Sequence, residues 1–298
     1  MTQVYLDPLE DSGFKILFSK KRNMIAALET LLDRKIEDLE YIDTEKLGVT
    51  IDETKSRFDL AVKFTDGGTC VVEMQKARLA YFNYRSVFYA SHLVQRQATD
   101  EHDRQFEAMK ARGKRPYWNY WYGPVYFVGI LASGWGDDPS SSKEGPLLEH
   151  YRLKELSTGE DMNVDYNFLY LRLDRFDKGE LECETALDKF AHTLKNMNSE
   201  TAKPESFCEE WLMNLYDDAL LANLPADIAH KLLISRYMTT ENDWLVAISE
   251  AEARAGKAEA KGREEERMAN ARAFKFAGVE ISVIAKATGL SEAEIDAL

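Results

Sequence analysis

Apolar positions along the chain recur first at helical spacing, then every second residue, then at helical spacing again. Phe14, Leu17 and Phe18, followed by Met24, Ile25, Leu28, Leu31 and Leu32, are three and four apart and predict two short helices or one broken helix. Over 57–64 the pattern alternates, with Phe58, Leu60, Val62 and Phe64 on one face and Asp59, Ala61 and Lys63 on the other, as in a strand with one buried face. Beyond Asp66-Gly67-Gly68 the alternation resumes with Cys70, Val72 and Met74 against Val71, Glu73 and Gln75, which predicts a β-hairpin. Helical period returns over 79–97 and places Tyr81, Arg85, Tyr89, His92 and Arg96 along one face. A charged stretch (100–115) and an aromatic one lead to an apolar run at 125–132, the expected central strand. Residues 133–145, rich in Gly, Ser, Asp and Pro, read as a loop, 166–173 as a further strand, and most of 184–298 as helix. The order predicts an α/β fold, a mixed β-sheet flanked by helices with a mostly helical C-terminal region.

Charge divides the chain. Its net value is −14, yet residues 1–124 hold as many acidic as basic side chains, so the whole excess falls in 125–298. A neutral N-terminal part (1–124) that can hold a phosphodiester and an acidic C-terminal part with another task are expected, and the domains are expected to divide as 1–175 and an acidic helical 176–298. Within the second, Gly256 and Gly262 weaken the Ala-, Glu-, Lys- and Arg-rich stretch 250–272, a solvated helix or linker. The chain is expected to end in a short helical pair, with a break at Thr288-Gly289 and a capping box from Ser291 to Glu294. That pair has few basic residues, so packing against a second copy is expected of it rather than base reading. Cys70, Cys183 and Cys208 are widely spaced without a C-x-x-C pattern, which argues against a disulfide framework or thiolate zinc site. No basic-then-apolar leader opens the sequence and no apolar run approaches ~20 residues, so a cytoplasmic protein without membrane contact is expected.

The hairpin carries the candidate chemistry. Burying Phe58, Leu60, Val62 and Phe64 beside Cys70, Val72 and Met74 requires paired residue numbers to sum to an even number, for example Thr65 with Thr69. Asp59 then faces Gln75, with Glu73 next along the same face. Two carboxylates and a carboxamide so placed suit a hard divalent cation with oxygen ligands. The same residues also suit the solvent-facing side of an ordinary antiparallel hairpin.

Asp59, Asp66-Gly67-Gly68 and Val71-Val72-Glu73-Met74-Gln75 together resemble the D…V-E-M-Q signature of the recombination-promoting nuclease, or transposase-like, branch of the PD-(D/E)XK nucleases of bacteria. Asp11-Ser12-Gly13-Phe14-Lys15 is similar to its D-x-x-F-K opening, Phe82 to Tyr89 to its F-x-x-R-x-x-x-Y helix, and Gly289-Leu290-Ser291 with Ile295 to its ending. The resemblance implies a restriction-endonuclease-like αβββαβ core, DNA as substrate and Mg²⁺ as cofactor, with Mn²⁺ as the alternative. It implies Asp59 and Glu73 as metal ligands, the Met74 carbonyl as a third, and Gln75 in place of the superfamily's lysine. Asp59, Glu73 and Gln75 are thus the expected catalytic residues. Asp11, Lys15, Arg85, Tyr89 and Arg96 are accessory or DNA-binding candidates, with helix capping the plain alternative for Asp11 and a solvated helix face for the arginines. Lys110, Arg112, Lys114 and Arg115 ahead of Tyr117 and Trp118 combine charge and rings as single-strand binders do, or form a solvated loop. The implied function is a metal-dependent DNA endonuclease of recombination or mobile elements. The alternative is a degenerate nuclease fold serving as a DNA-binding or assembly module, with self-association through the C-terminal helices.

Overall fold

The computed structural model describes residues 4–42, 59–115, 117–135, 144–162, 164–225, 228–229 and 266–297. Two short helices open it, α1 (Asp11–Phe18) and α2 (Lys21–Leu32), each burying its apolar stripe. Gly13 lets α1 lie against the preceding chain: a Cβ there would stand 2.0 Å from the Asp7 carbonyl oxygen. Asp33, left-handed at φ 48°, ends α2.

Six strands form one sheet in the order β1-β2-β3-β4-β6-β5. They are β1 (Leu39–Tyr41), β2 (Leu60–Phe64), β3 (Thr69–Gln75), β4 (Val125–Leu131), β5 (Leu148–Tyr151) and β6 (Tyr166–Arg172). β1, β2 and β3 are antiparallel, β3, β4 and β6 run parallel, and β5 is an antiparallel edge. Between β3 and β4 the chain crosses over through α3 (Phe82–Ala111), completing a mixed sheet with the αβββαβ order. β1 and β5 escaped the sequence reading because three or four residues give no run of alternation. α3 continues 14 residues past the expected end at 97, through charged turns whose ion pairs sit in solvent.

Both faces of the central sheet are covered, which corrects the expectation of one buried face. Val62, Phe64, Cys70, Val72, Met74, Val128 and Leu169 pack with α1 and α2, whereas Ala61, Val71, Phe127 and Tyr170 pack under Phe82, Tyr89 and Leu93 of α3. β3 is buried along nearly its whole length, as strands in parallel pairing with covered faces are.

The division expected at 175/176 falls inside a continuous core. α4 (Ala186–Asn196) and α5 (Glu210–Ala219) bury Phe190, Leu194, Leu212 and Leu215 in the same cluster as α1, α2 and the sheet. Of the acids on these two helices, Glu210 and Asp217 are exposed whereas Asp188 and Asp218 are buried, so the acidic composition of 176–298 does not mark a boundary. By packing, one compact unit runs over Met1–Arg236 and a second over Tyr237–Leu298. In the second, described residues form a helix at 266–276 and the pair Ile281–Thr288 and Glu292–Asp296. Gly289 turns between the pair at φ 70°, and Ser291 and Glu294 close a capping box. Its small core is Ala271, Ile284, Leu290 and Ile295. Most of the stretch expected as helix or linker at 250–272 lies outside the described residues. No described helix is long and apolar enough to cross a membrane.

Candidate active site

The hydrophobic parity of the hairpin holds, but its register lies two residues from the expected one. Leu60 pairs with Val72, Ala61 with Val71, Val62 with Cys70 and Lys63 with Thr69. The Phe64 N–H bonds to the Gly68 carbonyl at 2.8 Å, so Thr65, Asp66 and Gly67 make the turn. Continued one residue past Leu60, this register sets Asp59 across from Glu73, rather than from Gln75. The side chain of Asp59 takes part in the ladder itself: its Oδ2 accepts the Met74 N–H at 2.7 Å.

Glu73 is 2% exposed. Its neighbour in β4 is Gly129, where an added Cβ would stand 2.9 Å from two ring carbons of Phe82. That missing side chain lets Phe82, first residue of α3, sit on the sheet, and one turn later Arg85 reaches Glu73. Arg85 forms an ion pair with Glu73 Oε1, donates through Nε to the Tyr89 hydroxyl at 3.1 Å and lies 5.2 Å above the Tyr89 ring. Glu73 Oε2 is buried and has no hydrogen-bond partner among the described residues. From α1, on the other face, Lys15 Nζ stands 3.9 Å from Asp59 Oδ1 and 2.6 Å from Asp11.

Burial pushes Asp59 above the usual carboxylate range, against the Met74 N–H and the Lys15 ammonium. Glu73 is pushed up in turn by burial first and then by the negative charge of Asp59, which together outweigh Arg85. The two acids therefore share too little positive charge to ionise together with ease. An unpartnered carboxylate oxygen in such a place fits a hard cation, which would supply the missing charge. Among the described residues no three His, Cys, Asp or Glu side chains converge as a metal cluster, so a cation held by the two acids would need carbonyl or water oxygens as well.

The other expected residues divide by position. Lys15, Arg85 and Tyr89 adjoin the two acids, and Gln75, half-buried at the end of β3, shares Glu73's face by strand alternation. Met74 turns its side chain into the opposite core. Asp11 is 68% exposed and stands inside α1, whose N-cap residue is Glu10, so it reaches the site through Lys15 and does not cap. Arg96 lies ~16 Å along α3 from Arg85. It lines a cavity of about 380 Å³ with Lys63, Thr69 and Trp121, at the hairpin-turn end of the sheet. Lys76, adjacent to Gln75, is held by Asp7 and Glu10 instead of facing the acids. Gly129 and Phe82 were missed as positioning residues, although a glycine inside the apolar run of β4 signals a close approach.

Over residues 8–251 the sequence matches the profile of the family described as PD-(D/E)XK nuclease family transposase. The match takes in α4 and α5 and stops short of the terminal helical pair, so the ending that resembled the same family lies beyond it. No curated protein and no solved structure matches the chain. With the matched segment running from before α1 to beyond α5, the chain belongs to the PD-(D/E)XK nuclease family transposases.

Proposed function

We propose that this protein hydrolyses phosphodiester bonds in DNA, in recombination or mobile-element processes, with Mg²⁺ or Mn²⁺ held by Asp59, Glu73 and the Met74 carbonyl. The observation that carries this reading is Glu73 Oε2, buried beside Asp59 with no hydrogen-bond partner among the described residues. When bound, the cation would stabilise charge on the phosphoryl oxygens and lower the pKa of an attacking water. The chain's own residues prepare the site. The Met74 N–H fixes the Asp59 carboxylate, and Arg85, braced by Tyr89, fixes Glu73 through Oε1 and leaves Oε2 open. Gln75 orients a water through its amide but brings no charge. Lys15, 42% exposed, supplies the mobile cation that Gln75 lacks and can meet a phosphate oxygen.

Nicking of supercoiled plasmid in Mg²⁺, Mn²⁺ or EDTA tests the proposal. Cleavage is expected with either metal, none in EDTA, and none with Asp59→Ala or Glu73→Ala. Retained cleavage by either variant overturns it.

A second reading, a nuclease fold kept for DNA binding or assembly, is favoured by the Arg85–Glu73 ion pair, which neutralises one acid without any metal. DNA binding by the parent without cleavage under any metal condition selects this reading. Self-association through the C-terminal helices belongs to both readings. Phe276, 98% exposed beside that pair, is the side chain to change, and sedimentation velocity of Phe276→Ser is the measurement.

A further inference from the structure

We infer that the segment between α3 and β4 is a stacking platform for single-stranded DNA, separate from the carboxylate pair. Trp118 and Tyr120 stack with centroids 4.4 Å apart and planes at 22°, and Trp118 continues onto His102 at 5.1 Å and from there to Phe106 at 5.8 Å. These rings are not core: Trp118 is 44% and Tyr120 68% exposed, with Tyr117 and Trp121 exposed beside them.

The segment is held in shape. The Gly123 N–H donates to Gln97 Oε1 at 2.8 Å, Gln97 Nε2 donates to Thr69 Oγ1 at 2.6 Å, and the Trp121 N–H donates to Asn119 Oδ1 at 3.1 Å. Tyr120 is left-handed at φ 57°, which is unfavourable for a bulky residue and turns its ring onto Trp118. Exposed aromatic rings kept in a strained, tethered arrangement point to a ligand with flat faces.

Charge identifies that ligand. In a chain of net charge −14, no acidic residue occurs between Glu107 and Asp137, whereas Lys110, Arg112, Lys114 and Arg115 lie exposed directly before the rings. Lys and Arg beside accessible aromatic faces match a phosphate backbone with unpaired bases. In a duplex the base faces are already stacked on one another, so the platform selects the single strand. The neighbouring cavity is a weaker candidate, since Arg104 and Arg96 face Glu101 and Asp100 there. The platform precedes Val125, which pairs with Thr69, four residues or ~13 Å along β3 from Glu73. The choice of DNA rests on the function proposed above; the platform and its preference for a single strand do not.

Fluorescence anisotropy on the full chain in EDTA, with a labelled oligo(dT) 15-mer and a duplex of equal length, tests the inference without cleavage. The wild type is expected to bind the single strand more tightly than the duplex. Trp118→Ala/Tyr120→Ala should weaken single-strand binding on the order of ten- to a hundredfold, the loss of one or two stacked bases. Trp118→Phe/Tyr120→Phe, which keeps the rings, should restore it. Changing the four basic residues to Gln should lower the slope of log affinity against log salt by up to ~0.7 for each phosphate contact removed. Equal affinity for single strand and duplex overturns the inference, as does an alanine variant that folds with an unchanged melting temperature and binds oligo(dT) as wild type does. A parent that binds oligo(dT) in EDTA but cleaves no DNA with any metal leaves the platform standing while the nuclease reading falls.

Discussion

Glu73 and Asp218 are both buried acids, at 2% and 8% exposure, but their surroundings act in opposite directions. Asp218, on α5, receives Lys20 at 2.7 Å, Arg22 at 2.6 and 3.2 Å and Asn23 at 2.9 Å. Burial alone would raise its pKa, but these hydrogen bonds together hold its carboxyl below the usual range. Glu73 has one arginine and a second acid beside it, one of its oxygens has no partner among the described residues, and its carboxyl is pushed up. Satisfied on both oxygens, an acid of the first kind ties α5 to the junction of α1 and α2. An acid of the second kind costs stability and retains its capacity for a ligand.

The contrast is broken most sharply by changing the acids themselves. Asp59→Asn keeps an acceptor for the Met74 N–H but removes one of two crowded negative charges. Plasmid cleavage is expected to fall by at least ~10³ with an unchanged or higher melting temperature. A marked loss of stability would make Asp59 a structural acid like Asp218. Asp218→Ala should do the reverse, lowering unfolding free energy in urea by about 2–3 kcal/mol while cleavage per folded molecule stays at the parent rate. The loss is modest because Lys20 and Arg22 are 41% and 55% exposed and recover water when the acid is gone. Gln75→Ala should slow cleavage roughly ten- to a hundredfold without changing Mg²⁺ affinity by calorimetry, the scale of a neutral preorganised group.

The smallest effect is in pH. Because the folded-state pKa of Asp218 is lowered, its stabilising contribution is present above its unfolded value, ~3.9, and is lost as pH falls through the folded one. Urea midpoints of the parent and Asp218→Asn should therefore differ fully at pH 7 and pH 5 and converge below pH ~4. A difference that instead grows with acidity would reverse the assignment of the two acids.

Much of the site was legible in the alternation of the hairpin. Phe64, Cys70, Val72 and Met74 demanded even parity, and even parity is what sets Asp59 and Glu73 on one face. Alternation cannot choose between registers two residues apart, and turn chemistry settled the choice by pairing Phe64 with Gly68. Burial of the acid-bearing face was not legible, because Val71 and Ala61 looked like intermissions in a polar face and the helix covering them lies beyond the hairpin in sequence. Nor was the ion pair between Arg85 and Glu73, whose reach depends on how closely α3 approaches the sheet.

That approach is set by Gly129, a residue with no functional group. A random-mutagenesis library scored only for loss of cleavage would place Gly129 alongside Asp59 and Glu73, since any side chain there lifts Phe82 and carries Arg85 off Glu73. Intolerance to substitution at this column of the sheet thus reports a spacing and not a reactant, and adding reagents that mimic a lost side chain would restore function at the acids but never at the glycine.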